Sequence, residues 1–253
     1  MSSFCIEHAS VELIGKRSRQ EDASQTALLN EGQEMLVVLA DGMGGHAAGD
    51  VASQTAVEHF SHNFSCNPAK SVAARLGSAL QAAGEGLREA IQLVPEFADM
   101  GCTLLAVHIQ ADGIQWISVG DSPLFLIRDG EISQINEDHS MGSVLDKLVL
   151  AGQLTSREAA SDPERQALTS VLSSAPMPAA IDCPDERMRL CAGDAIIVAS
   201  DGIRTLALDE IVASLSATTT ASQVCEYLAQ KIASKDKVDQ DNTNIHVILI
   251  KSL

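Results

Sequence analysis

The stretch MLVVLADGMGG, residues 35–45, gives the strongest local indication of both the fold and the site. Six apolar residues in succession, 35–40, predict a strand that is buried on both faces. Asp41 follows this strand directly, and Gly42 allows the backbone to turn or to approach a ligand closely. The pattern therefore predicts a core strand whose end carries a carboxylate out of the interior at a fixed height.

The same pattern recurs along the chain. Asp121 follows the run IQWISVG, Asp201 follows AIIVAS, Asp241 comes just before the run NIHVILI, and the pair Glu21 and Asp22 lies between the first candidate strands. Carboxylates that converge from several strand ends repel one another unless cations lie between them. Ligation by oxygen alone, without a His or Cys cluster, favours Mg²⁺ or Mn²⁺ and, less specifically, Ca²⁺.

Ordinary turns are the alternative interpretation of these acidic residues, since an Asp-Gly pair is most often a turn. The pairs Asp112-Gly113 and Asp129-Gly130 fit two hairpins. Spacing alone therefore leaves both a binuclear metal site and a set of turns open. Similarly, the basic residues in GKRSRQED, residues 15–22, suit a substrate phosphate held beside the carboxylates, but they also suit local surface ion pairs.

The order of candidate elements indicates an α+β fold with antiparallel sheets, because runs of strands are separated from runs of helices. Strands are predicted at residues 4–9, 35–40, 103–110, 114–119, 124–127, 187–190, 195–199 and 244–250. Helical spacing covers residues 51–60, 72–91 and 224–232, and shorter helices are expected around 143–160. The polar segment 143–174 lies between two strand blocks, where it is either a flap over a site or an ordinary pair of connecting helices.

Composition excludes several classes of function. The 253 residues contain 34 Asp plus Glu and 17 Lys plus Arg, for a formal net charge of −17, which argues against a surface for nucleic acid or anionic lipid. Six scattered cysteines without a Cys-x-x-Cys pair predict neither a zinc cluster nor a disulfide framework. Because no apolar run has a membrane-spanning length and no signal core is visible, we expect a cytoplasmic protein without membrane contact.

Seven short motifs complete the sequence evidence. They are RSRQED at 17–22, LADGMGGHAAGDVAS at 39–53, GCT at 101–103, VGDS at 119–122, EDHS at 137–140, VASDGI at 198–203 and DN at 241–242. In this order they resemble the metal-dependent type 2C serine/threonine protein phosphatases, most closely their compact bacterial members. The resemblance implies a four-layer α-β-β-α sandwich of two antiparallel sheets flanked by helices. It also implies one catalytic domain over residues 1–253, with a flap-like insertion at about 143–174.

The resemblance also implies roles for the acidic residues. Asp41 is expected to bridge two metal ions, to which the Gly42 carbonyl also binds, while Asp201 and Asp241 bind the first ion and Glu21 the second. Asp121 matches a position that, with Asp201, holds a third ion. The expected cofactors are therefore two or three Mn²⁺ or Mg²⁺ ions. They would activate a water between them for attack on phosphoserine or phosphothreonine.

Two further residues complete the expected site. Arg17 is expected to hold the substrate phosphate, and Asp22 to orient a bound water. The implied partners are phosphorylated proteins and a eukaryotic-like serine/threonine kinase with its substrates, and the chain is expected to be a monomer.

Departures from the family pattern leave a second hypothesis open, a catalytically weak member that binds and regulates a phosphoprotein. Met43 stands where animal members commonly have the His proposed as general acid, so that His46, His139 or a metal-bound water remains for this role. Pro123 replaces a frequent Arg, and Arg204 replaces a small polar residue. A third hypothesis, an acidic Ca²⁺-binding structural protein, lacks the Asp-x-Asp-x-Asp-Gly loop with its terminal Glu.

Overall fold

The computed structural model describes residues 4–44, 48–110 and 113–252. Its strands are β1 (Phe4–Leu13), β2 (Asp22–Leu29), β3 (Glu34–Met43), β4 (Gly101–Cys102), β5 (Leu104–Gln110), β6 (Gly113–Val119), β7 (Leu124–Arg128), β8 (Glu131–Gln134), β9 (Ala195–Ala199) and β10 (Thr243–Ser252). Its α-helices are α1 (Ala48–Cys66), α2 (Val72–Leu93), α3 (Met141–Leu150), α4 (Ser156–Ala160), α5 (Leu208–Ala217) and α6 (Ala221–Ser234). None of the helices in these ranges is both long and apolar enough to cross a membrane.

Two five-stranded sheets form the centre of the fold. The first has the strand order β1-β10-β9-β7-β8, and the second has the order β2-β3-β5-β6, with the short β4 paired to β3. Every pairing between these strands is antiparallel. The predicted α+β class with antiparallel sheets is confirmed.

Three layers of core side chains explain the four-layer arrangement. Alternate residues of β3, such as Leu36 and Val38, pack under α1 and α2, while Val37 and Leu39 face the other sheet. The outer face of that other sheet packs against α5 and α6 through residues such as Leu228. Because β3 is buried on both faces, its apolar run is continuous rather than alternating. The α-β-β-α sandwich is therefore confirmed.

Five elements differ from the sequence-based expectation. The strands β2, β4 and β8 and the helix α5 are not among the predicted elements, and residues 187–190 do not form the expected strand. Only an isolated bridge joins Met188 to Ile114. The turn at Asp129 and Gly130 is confirmed, with positive φ angles of 54° and 80° that suit a tight hairpin between β7 and β8. Asp112 and His46 lie outside the described residues.

The layer under α6 gives a stability test. Leu228 is fully buried between α6 and its sheet, whereas Leu93 at the end of α2 is 83% exposed. Leu228→Ala should lower the free energy of unfolding by about 2–5 kcal/mol, because it removes buried methyl groups and leaves a cavity. Leu93→Ala, the matched control, should change it by less than about 0.5 kcal/mol. Urea unfolding measures both, and equal losses would contradict the described packing.

Candidate metal centre

A cleft of about 300 Å³ lies at the end of the sandwich where β3 and β9 finish. It contains seven of the eight candidate site residues: Arg17, Glu21, Asp41, Gly42, Asp121, Asp201 and Asp241. Its remaining walls are formed by Met43, Gly44, Thr103, Gln166, Leu168 and Asn242. The eighth candidate, Asp22, lies behind this lining and is 6% exposed. The structure thus brings together strand ends that are up to 220 residues apart in the chain.

Asp41 is held by its backbone at the end of β3. Its N–H donates to the hydroxyl of Thr103 over 3.0 Å, and its carbonyl accepts from the Thr103 N–H over 2.8 Å. The Thr103 hydroxyl also lies 2.9 Å from that of Ser122, next to Asp121. Thr103 therefore ties two of the acidic strand ends to each other without placing a charge between them.

Oxygens of Glu21 and Gly42 converge near the first turn of α1. A methyl group placed on Gly49 would lie 2.8 Å from the Glu21 carboxylate and 3.0 Å from the Gly42 carbonyl oxygen. A methyl group on Gly42 would lie 2.0 Å from the Gly49 carbonyl. Gly42 cannot be replaced without moving the backbone, and a side chain at Gly49 would displace the Glu21 carboxylate, so the close approach of α1 to β3 depends on both glycines. The approach brings a carboxylate and a carbonyl to one place.

Asp22 is positioned from behind the cleft by Ser200. The Ser200 hydroxyl donates to Asp22 Oδ2 over 2.7 Å and accepts from the Asn244 N–H over 2.9 Å. In the register of β2 with β3, Asp22 stands directly opposite Asp41. Like charges in this position repel each other.

Asn242 fixes the loop that carries Asp241 and Glu21. Its side-chain oxygen accepts from the Glu21 N–H over 2.8 Å, and its amide donates to the carbonyls of Ile14 and Arg19, each over 2.9 Å. Beside it, Arg17 donates to Asp241 Oδ2 over 2.6 Å. The predicted phosphate-binding residue therefore pairs with a predicted metal ligand.

Burial and mutual repulsion together raise the pKa values of the acidic residues in and behind the cleft. Burial, and then the charge of Asp201, raises the pKa of Asp22 to about 7, while burial and Asp201 raise the pKa of Asp121 to about 6. Burial together with the neighbouring aspartates raises the pKa of Asp41 well above its usual range, and burial and Asp241 raise that of Asp201. Such shifts arise where carboxylates share a site without a compensating cation.

The donor set fits hard divalent ions. The charged side chains in the lining of the cleft that could bind a cation are all carboxylates, without His or Cys among the described residues there, and Met43 supplies the one sulfur. The buried atoms Asp22 Oδ1 and Asp201 Oδ1 have no hydrogen-bond partner among the described residues. In the described ranges, however, no three His, Cys, Asp or Glu side chains already stand as a metal-binding group. The pairing of Asp241 with Arg17 and the mutual repulsion of the carboxylates both oppose such an arrangement. Binding of ions by these carboxylates would require them to turn toward the ions, and an ion would compete with Arg17 for Asp241.

The candidate general acids have different positions. His139 is buried. Its ring Nδ1 accepts from the Gly120 N–H over 3.2 Å, and its backbone N–H donates to the Gly120 carbonyl. This residue supports the loop that carries Asp121, and it is absent from the described lining of the cleft. Met43 does line the cleft but has no proton to donate, and His46 lies outside the described residues.

Sequence reasoning gave no role to four residues that shape the site. They are Thr103, Ser200, Asn242 and Gln166. The first three belong to the motifs GCT, VASDGI and DN, so the sequence marks their positions. Their hydrogen bonds depend on the fold and could not be predicted from these motifs. Gln166 comes from the segment 143–174, where no motif marks it.

Together the sandwich and its cleft define an α-β-β-α sandwich protein with a carboxylate-lined cleft at the end of its sheets. A sequence model of the protein phosphatase 2C family matches residues 12–240. The chain therefore belongs to the protein phosphatase 2C family.

Individual relatives agree with this assignment. The serine/threonine protein phosphatase PstP of Mycobacterium tuberculosis is 33% identical over 177 residues, which cover 70% of this chain and 33% of PstP. The chain thus spans about a third of the length of that relative. A putative protein phosphatase 2C-type protein of Streptococcus pyogenes is 33% identical over 71% of this chain and 72% of its own. A crystal structure of the catalytic domain of PstP with two manganese ions superposes with a TM-score of 0.80 at 25% identity, covering 99% of this chain and all of that one.

The raised pKa values predict how pH affects the metal-free fold. An acid whose pKa rises on folding from about 3.9 to about 7 binds its proton more tightly when folded. The contribution of Asp22 to stability is therefore full below about pH 4 and is lost as the pH rises through about 7. Scanning calorimetry in EDTA should show Tm falling by at least about 4 °C between about pH 5 and pH 8. Saturating Mn²⁺ should remove this decrease, and a rise of Tm with pH in EDTA would contradict the electrostatics.

A substitution separates repulsion from packing. Asp41→Asn removes one of the two charges that face each other across β2 and β3, so in EDTA it should raise the free energy of unfolding by about 1 kcal/mol or more. It should also abolish the stabilisation by Mn²⁺. Asp209→Asn at the surface-exposed start of α5 removes the same charge and should not stabilise the protein. Destabilisation by Asp41→Asn in EDTA would overturn this account.

Proposed function

We propose that this chain is a Mn²⁺- or Mg²⁺-dependent protein serine/threonine phosphatase. The observation that carries the proposal is the cleft in which five carboxylate side chains and one backbone carbonyl lie beside the guanidinium of Arg17. Membership in the protein phosphatase 2C family and the two manganese ions of the PstP complex support it.

The carboxylates divide into groups according to where they lie. Glu21, Asp41 and the Gly42 carbonyl would hold one ion near the start of α1, while Asp41, Asp201 and Asp241 would hold another. When bound, such ions supply Lewis-acid activation of water and neutralise charge on the phosphoryl group. Asp121, tied to Asp41 through Thr103 and Ser122, would serve a third ion together with Asp201.

The remaining residues of the chain position the reactants. The planar guanidinium of Arg17 suits bidentate binding of phosphoryl oxygens once Asp241 has turned to an ion. Asp22, fixed by Ser200 behind the lining of the cleft, would orient a bound water. In the net reaction water adds its oxygen to phosphorus and the serine or threonine alcohol leaves with a proton. Because no histidine appears in the described lining of the cleft, water would deliver this proton.

Met43 favours a second candidate function, a phosphoprotein-binding regulator without turnover, because a thioether in the cleft cannot act as a general acid. The retained carboxylates argue for catalysis instead. Calorimetric titration together with a phosphate assay distinguishes the two. The regulator would bind Mn²⁺ and phosphopeptide without releasing phosphate, whereas the enzyme would release it.

The wider setting is also a proposal. We infer one catalytic domain over residues 1–253 that acts in the cytoplasm as a monomer on phosphoproteins, in opposition to a serine/threonine kinase. Segment 143–174 would serve as its flap, because Gln166 and Leu168 of this segment form one wall of the cleft. The bidentate pair between Arg165 and Asp146, over 3.0 and 2.9 Å, ties the two halves of the segment together.

Phosphate release from a phosphothreonine peptide tests the proposed activity. Turnover should require Mn²⁺ or Mg²⁺ and stop in EDTA. Asp201→Asn should lower kcat/KM by at least about 100-fold, about 2.7 kcal/mol, because it removes a charged donor with no other partner for its Oδ1. Asp209→Asn is the charge-matched control and should retain full activity. Turnover that survives both EDTA and Asp201→Asn would exclude the mechanism.

The pair between Arg17 and Asp241 predicts opposite effects on substrate and metal. Arg17→Gln should raise KM for the phosphopeptide about 10-fold or more, because it removes the charged phosphate donor. It should also tighten Mn²⁺ binding by up to about 5-fold, since the half-exposed pair that competes for Asp241 is worth about 1 kcal/mol at most.

The control for this pair is Arg19→Gln, which removes an equally charged, exposed residue two positions further along the loop. It should change neither KM nor the Kd of Mn²⁺. Weaker Mn²⁺ binding by Arg17→Gln would contradict the competition between Arg17 and the ion.

A further inference from the structure

A second cavity of about 560 Å³ opens beside the metal cleft. The two share Arg17, Gln166, Asp201 and Asp241, so a peptide whose phosphorylated residue enters the cleft would extend into this cavity. The cavity lies between the loop after β1 and the loop that connects α6 to β10. A side chain that occupies this cavity would belong to a peptide residue next to the phosphorylated residue.

The lining of this cavity is basic, although the chain as a whole is acidic. Four of its side chains are cations: Lys16, Arg17, Arg204 and Lys237. The carboxylates in the lining are Asp201, Asp239 and Asp241, and two of these are proposed metal ligands. With their charges neutralised by ions, Asp239 is the one carboxylate left in the described lining, while Asp236 and Asp138 lie outside it and pair with Lys16 and Arg204. We call Lys16, Arg204 and Lys237 the basic wall.

The two lysines of the basic wall are available to a ligand. Lys16 pairs with Asp236 over 3.0 Å and Lys237 with Asp239 over 3.7 Å, but these aspartates are 84% and 81% exposed. Pairs between such exposed charges contribute little stability, so an incoming anion can replace the aspartate. Arg204, in contrast, is fixed by bonds to the Asp121 carbonyl and to Asp138.

A neighbouring cavity of about 500 Å³, which shares Gln166 and Arg204 with this one, does not offer the same charge. It is also lined by cations, but Arg165 is held by both oxygens of Asp146, and the carboxylate of Asp138 faces Arg204. Two of its three cations are thus paired, and only Lys147 remains in the described lining once Asp121 is assigned to an ion. An anionic flanking residue would gain more on the side of Lys237.

We propose that the basic wall is a subsite for an anionic side chain next to the phosphorylated residue, either a carboxylate or a second phosphate. This inference rests on the proposed phosphatase activity and specifies its substrate class. The wall would select acidic stretches of phosphoproteins, since a local excess of cations acts at short range even in a protein of net charge −17.

Three phosphothreonine peptides test the subsite. They share one sequence and differ at the flanking residues, which are glutamine, glutamate or phosphoserine. At low ionic strength kcat/KM should be about 3–10-fold higher for the glutamate peptide than for the glutamine peptide, and higher again if a second phosphate is the preferred group. A phosphoserine peptide no better than the glutamate peptide assigns the subsite to carboxylates. Added salt should reduce the preference.

The double variant Lys16→Gln/Lys237→Gln should bring the ratio of kcat/KM between glutamate and glutamine peptides close to 1. The matched control, Lys70→Gln/Lys235→Gln, removes the same charge outside the cavity and should keep the wild-type ratio. Equal rates on all three peptides, or a ratio unchanged in the first double variant, would overturn the subsite while leaving the phosphatase activity intact. Failure to hydrolyse any of the peptides would instead refute the activity and the subsite together.

Discussion

The repulsion between Asp22 and Asp41, which face each other across β2 and β3, is the constraint on which the rest of the structure depends. Asp22 is buried and Asp41 is partly buried, and Asp121 and Asp201 add their charges from other strand ends. A chain that places carboxylates this way gives up stability unless cations or protons join them. The fold must therefore supply a scaffold firm enough to hold the repelling groups in place, and the cofactor must supply the positive charge.

The scaffold meets this requirement with neutral contacts. Thr103, Ser200 and Asn242 hold the acidic strand ends through hydroxyl and amide hydrogen bonds, and burial of β3 on both faces prevents the strand from shifting. Charged partners in the same positions would have neutralised the carboxylates and removed their affinity for metal ions. Arg17 is the exception, and its half-exposed position leaves it able to exchange Asp241 for a substrate phosphate.

The core strands that end in an acidic residue can be predicted from the sequence, because each repeats the same local pattern. The run of apolar residues ending in Asp41 identified a buried strand and its acidic end, and the same pattern located Asp121 and Asp201. Strand β2 escaped detection because its inner face is polar, with Ser24 and Thr26 where an apolar alternation was required. The prediction of a strand at residues 187–190 was wrong for a different reason. These residues alternate between polar and apolar, as a half-buried strand does, but they contact β6 through the isolated bridge from Met188 to Ile114 and form no ladder. Contacts such as Asn242 with Glu21 depend on tertiary structure and have no local signature.

The effect of the net charge of −17 on ligand binding depends on where the acidic residues lie. Six acidic residues stand at or behind the cleft, where divalent ions would reverse the local sign, and Lys16, Arg204 and Lys237 extend the positive region along one side. Screening at physiological salt limits the repulsion by the remaining surface acids to about 8 Å. An anionic substrate therefore meets repulsion during approach and attraction on contact. This order favours ligands that place several negative charges at the cleft together over a uniformly charged polyanion such as nucleic acid, whose distant phosphates remain opposed by the acidic surface.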